Sequence, residues 1–111
     1  MKVVRKGEGN HFDPANHWGC WPMRQHGEEE SGAKKLWVAI SHFLPDGGGK
    51  DEGLPAERIY YVLSGTMKVK SGGKEVTLNE GDSVFRPAHE GGEYWNPGTE
   101  PCTNLVIVVP V

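Results

Sequence analysis

The chain has 111 residues, 36% hydrophobic and 24% charged, with a formal net charge of −3 and no basic block. That length predicts one domain with a core of its own, and that charge argues against nucleic acid or an anionic membrane as partner. The longest apolar run, residues 105–109, is too short to span a bilayer, and the opening MKVVRKGEG lacks the apolar stretch of a signal peptide. Two cysteines, Cys20 and Cys102, suit a reduced, cytoplasmic protein. A bridge between them is one option, and nothing in their spacing marks a metal knuckle.

In chain order, residues 2–5 read as a short strand and residues 7–19 as turns, with Asp13-Pro14 favouring turn initiation. Residues 20–25 extend into a strand, and residues 27–35 form a polar, charged loop. Residues 36–44, LWVAISHFL, make a strong strand. Leu36, Val38, Ile40, His42 and Leu44 share one face; Trp37, Ala39, Ser41 and Phe43 share the other. Both faces are apolar, so cover on both is expected. PDGGGKDEG at 45–53 reads as a flexible loop. Four short strands follow between residues 57 and 87. Residues 59–63 are β-branched and aromatic, Ser64-Gly65 turns the chain, and Met67 and Val69 alternate with lysines. Gly72-Gly73 makes a tight hairpin, Val76 and Leu78 resume the alternation, and residues 79–82 turn into residues 83–86. Residues 93–96 and 103–109 supply two more strands. No stretch shows helical periodicity beyond one turn. The fold class is therefore all-β, an antiparallel sandwich or barrel.

The order of these pieces is similar to a known family. A strand ending in Pro45-x-Gly47-Gly48 is followed by YYVLSG at 60–65, a hairpin, EGDSVFRP at 80–87 and Asn96-Pro97-Gly98. This resembles the small single-domain cupins, the conserved-barrel family. The resemblance covers residues 36–109 and implies a double-stranded β-helix, or jelly-roll barrel, over residues 36–111. Residues 1–35 are then an arm with short strands that packs on the barrel or on a partner subunit. Cupins of this size usually pair through their sheets, so the resemblance also implies a homodimer. In the family's second motif, Gly81, Pro87 and Asn96 fall at matching places, and Gly65 matches the glycine that closes the first. The metal-ligand positions depart from the pattern. The family's glutamate position holds Arg58, its two paired histidines fall within 51–54 where there is none, and its last histidine is Gly92. A guanidinium has no lone pair to give a metal, so no cofactor is expected. The alternative is a divalent metal at a non-standard site built from His42, His89 and Glu57 or Glu93.

By parity with the family's glutamate, Arg58, Tyr60 and Val62 face the pocket, and a one-residue bulge would turn Glu57 inward instead. A buried guanidinium needs a carboxylate, from Glu57, Glu93, Asp51 or a ligand. Arg58 either recognises a small anion through its bidentate fork or sits in a solvated ion pair at the rim. His42 is a core histidine or a ligand-binding one. His89 is placed at the barrel mouth. Tyr60, Tyr94 and Trp95 offer aromatic walls with polar tips, and Asn96 completes the ligand-binding set. His11, His17 and His26 match no metal-site spacing. Trp18 and Trp21 need cover from the barrel end or a second subunit.

Three functions compete. The first is a metal-independent barrel that binds a small polar or anionic metabolite, with isomerase or lyase chemistry if His42, His89 or Glu57 acts as base. The second is a metal-dependent oxygenase or isomerase with relocated ligands, and the third a non-catalytic sensing or structural module.

Overall fold

The structure, a computed structural model, describes residues 1–111. It contains nine strands: β1 Asn10–His11, β2 His17–His26, β3 Trp37–Asp51, β4 Ala56–Ser64, β5 Thr66–Ser71, β6 Lys74–Asn79, β7 Ser83–Arg86, β8 Gly92–Trp95 and β9 Cys102–Pro110. One single-turn helix, α1 Glu28–Ser31, lies in the charged loop between β2 and β3. All pairings are antiparallel, in the order β6-β5-β8-β3-β9-β4-β7, with β2 also on β3 and β1 on β2. This is the all-β antiparallel barrel that the strand and turn spacing predicts, with the jelly-roll architecture that the resemblance implies.

One strand belongs to both leaves of the barrel. Trp37 to Phe43 of β3 pair with β9, whereas Gly48 to Asp51 pair with β8. The expectation of a flexible loop over residues 45–53 is therefore corrected: the glycine run is paired strand, and Gly47, Gly48 and Gly49 are buried. Its glycines serve close approach rather than freedom. A Cβ on Gly48 would collide with the Tyr94 carbonyl, one on Gly47 with the Gly19 carbonyl, and one on Gly49 with the His17 ring. Asn96 fastens the bend. Its backbone exchanges hydrogen bonds with Asp46 (2.9 Å) and Gly47 (2.8 Å), and its Nδ2 donates to the Phe43 carbonyl (3.1 Å).

Residues 2–5 form no strand, contrary to expectation. They have no neighbouring ladder to satisfy an extended backbone, and a turn closed by Glu8 N–H on the Arg5 carbonyl (3.0 Å) follows them. The arm's later part is integral to the sheet, because β2 pairs with β3 from His17↔Gly49 to His26↔Val38. The cysteines flank Phe43 from opposite sides, Cys20 on β2 and Cys102 on β9. Two strand spacings separate them, roughly 10 Å, which is beyond the reach of a disulfide. Both are free.

Alternation sorts the interior from the exterior. On β4, Ala56, Arg58, Tyr60 and Val62 are buried while Glu57, Ile59, Tyr61 and Leu63 are exposed. On β3 the inward face is Ala39, Ser41 and Phe43; the opposite face is only half-covered, and Leu44 is 60% exposed. Cover on both faces of β3 is thus not found within one chain. The packed core comprises Phe43, Tyr60, Val62, Met67, Val69, Leu78, Tyr94 and Cys102.

Candidate functional site

Arg58 and Arg86 are the two largest side chains buried in the barrel, 2% and 0% exposed. They sit directly opposite one another on β4 and β7. Like charges at such a position repel, and each costs several kcal/mol to desolvate unless paired. Asp51, at the end of β3, resolves this: its Oδ2 accepts from Arg58 Nη1 and Arg86 Nη1, each at 3.0 Å. The Glu90 carbonyl accepts from both Nη2 groups, also at 3.0 Å. Arg86 further donates to Tyr60 Oη (3.2 Å) and, through Nε, to Ser71 Oγ (3.3 Å), and Ser71 donates to Glu90 Oε2 (2.7 Å). Burial works against the Arg86 cation, yet Tyr60 and Asp51 more than offset it and hold its pKa above the ordinary arginine value. Arg58 Nε is buried and has no acceptor.

Beside this cluster lies a cavity of about 120 Å³. Its walls are mostly apolar, with Phe43, Val106 and Val108 from the sheet and Phe12 and Pro14 from the arm. Arg58, Tyr60, Tyr94, His17, Ser41 and Cys20 supply the polar atoms. The arm segment is held over the cavity by stacking: Arg24 lies 4.6 Å from the Phe12 ring centre and 5.0 Å from that of Trp37. His17 Nδ1 lies 2.7 Å from the Ala15 carbonyl, so Nδ1 carries the proton. The neutral ring then offers Nε2 as acceptor, and Tyr94 Oη donates to it. Burial pushes the Tyr94 phenol well above its usual pKa, and Tyr60 and Cys20 beside it add to that shift. The Tyr60 and Tyr94 rings pack 4.8 Å apart, with Tyr60 bonded to Arg86 at one end and Tyr94 to His17 at the other.

Residues 39–108 match the family described as Cupin domain. The chain belongs to the cupins. Solved structures agree on the fold. A predicted oxalate decarboxylase from Thermotoga maritima is 20% identical with a TM-score of 0.81, over 98% of this chain and 99% of its own. The polyketide cyclase RemF from Streptomyces resistomycificus is 18% identical with a TM-score of 0.84, over 98% and 79%. A Cupin 2 conserved barrel domain protein from Salinispora arenicola is 16% identical with a TM-score of 0.79, over 100% and 90%. No curated protein matches the chain.

Of the residues that sequence reading selects, this cupin brings Arg58, Tyr60 and Tyr94 together at the cavity. Four others stand elsewhere. Glu57 and His42 project from the outer face, since strand parity turns them opposite to Arg58 and Phe43; His42 Nδ1 lies 3.0 Å from Thr103 Oγ1. His89 is exposed in a turn with φ 67°, and only its backbone is engaged, with N–H on the Leu54 carbonyl (2.8 Å). Asn96 is buried but fully committed: Nδ2 also donates to the Glu100 carbonyl (2.7 Å), and Oδ1 accepts from Gly98 N–H (2.9 Å). His17 joins the cavity wall, while Arg86 and Asp51, one of the carboxylates the sequence offers Arg58, stand behind Arg58. Parity across the β4–β7 pair marks Arg86, whereas His17 is carried inward by a register shift between Trp18 and Cys20 that no spacing rule shows.

A divalent metal does not fit this cupin's interior. Arg58 stands where the resemblance puts a glutamate ligand, and Arg86 faces it. Asp51 is already bonded to both, and no three His, Cys, Asp or Glu side chains converge anywhere in the chain.

Proposed function

We propose that this cupin is a metal-independent small-molecule barrel that binds a small polar or anionic metabolite beside Arg58, Tyr60 and Tyr94. The observation that carries this reading is the buried arginine pair: two guanidiniums meet one bonded carboxylate, next to a cavity without a carboxylate in its wall. Cupins similar in fold carry names as different as oxalate decarboxylase and polyketide cyclase, so the scaffold alone selects no substrate. If chemistry follows binding, it is proton transfer of the isomerase or lyase type. His17 Nε2 is the acceptor and Tyr94 the donor, because Glu57, His42 and His89 lie outside the cavity. The free cysteines fit a reducing, cytoplasmic setting.

Thermal shift with divalent metals on one side and small carboxylates on the other tests the reading. Carboxylates raise Tm, divalent metals do not, and Arg58→Ala removes the carboxylate shift. A carboxylate shift that survives Arg58→Ala would move the site elsewhere.

A further inference from the structure

The cavity has more to say about its occupant than that it is small and anionic. Arg58 is the one formally charged side chain in the wall, and no Asp or Glu joins it. The Glu90 carboxylate, half-buried, is turned to Ser71 and Gly72 on the other side of the arginines, so it does not balance charge on the cavity side. Arg58 Nη1 and Nη2 are held by Asp51 and the Glu90 carbonyl, which leaves Nε–H as a buried donor without an acceptor. A buried donor left so is unfavourable, and a ligand oxygen satisfies it. Tyr60 Oη accepts from Arg86 and keeps its own proton to give.

The rest of the wall offers a hydroxyl-rich ligand few partners: Ser41 and Cys20, and a His17 and Tyr94 already bonded to each other. Six of the fourteen lining residues bring the polar atoms, and the other eight, among them Phe43, Trp37, Leu54, Val106 and Val108, are apolar. A dry cavity of about 150 Å³ lined by such side chains holds a benzene ring, and this one, closed on one side by Phe12 and Pro14 of the arm, is of that order at about 120 Å³. One ring or a branched chain of similar size fills it; a sugar phosphate or nucleotide does not.

We infer that the occupant is a monocarboxylate with an apolar body of about one ring, its carboxylate on Arg58 Nε–H and Tyr60 O–H and its body against Phe43, Val106 and Val108. This rests on the anion-binding reading above and narrows it to a ligand class. Benzoate is the probe, benzamide its neutral isostere, and phosphate and malonate are the polar anions. The readouts are Tm and the ¹⁵N–¹H resonances of the arginine Nε groups in the full chain. Benzoate shifts the Arg58 Nε signal, and benzamide binds about ten-fold or more weaker, the difference between a charge-assisted and a neutral hydrogen bond. Val106→Phe, which fills the cavity and leaves the arginine pair in place, abolishes benzoate binding while the Nε signals of the free protein persist. Benzamide binding as tightly as benzoate, or benzoate binding that survives Val106→Phe, overturns the inference. If phosphate or malonate raises Tm through Arg58 and benzoate does not, this inference fails and the broader reading stands. If no anion binds, both fail.

Discussion

Asp51 is the residue on which the interior depends. It carries the only carboxylate in contact with two guanidiniums that would otherwise repel across β4 and β7. Asp51→Asn keeps the shape and removes the charge, so it leaves both cations buried and unpaired. The expected loss is about 3–5 kcal/mol in urea unfolding; a loss under about 1 kcal/mol contradicts the role. Titration at the far side of the core has a definite sign. Burial raises the Cys102 thiol from 9.0 to about 11, and Tyr94 moves the same way. The unfolded chain therefore releases these protons first, and stability that is intact below pH 9 falls as pH climbs toward 11. Cys102→Ala should show a smaller fall in Tm between about pH 8 and pH 10.5 than the parent chain; an unchanged fall rules Cys102 out as a contributor. Arg58 is legible from sequence because family register and strand parity agree on it. His42 is misplaced because an apolar strand gives no sign of which face is inner.

At the level of elements, β3 decides the architecture, and it does so through glycines that composition alone marks as loop. Gly47, Gly48 and Gly49 let β2 and β8 approach where a side chain would collide with backbone or with His17. Gly48→Ala thus requires β8 to move and is expected to unfold the chain or cost several times more than Gly73→Ala. Gly73 has open space around it and only a positive φ of 76° to strain, about 1–2 kcal/mol. Chemical denaturation of both variants makes the comparison; equal costs would mean that the β3–β8 contact is slack. Hairpins at Gly65, Gly72-Gly73 and Gly81, all with positive φ, are readable from sequence because the turn residue itself sets the geometry. The glycine run is not, because its role lies in contacts with strands distant in sequence.

At the scale of the molecule, two neighbouring rows on the outer face of the β2-β3-β9-β4-β7 leaf are apolar. Met23, Ile40, Leu105 and Tyr61 lie side by side in register, as do Val38, Ile107, Ile59 and Phe85. Phe85 and Trp21 are 54% and 55% exposed. A face of this extent is unusual on a monomer, and a second copy of the chain is the occupant we propose, with Trp21 of the arm at its margin. Light scattering should give the mass of a homodimer, and Ile107→Asp should halve it; a parent chain that runs as a monomer contradicts the assembly.

Within the barrel, a pair of arginines clasped by Asp51 stands where the family's resemblance puts a cation. Elemental analysis of the purified chain, after exposure to manganese, iron, nickel and zinc and removal of the excess, tests that substitution most directly. No metal should be retained in proportion to protein; one ion per chain that is lost on Asp51→Asn would contradict it.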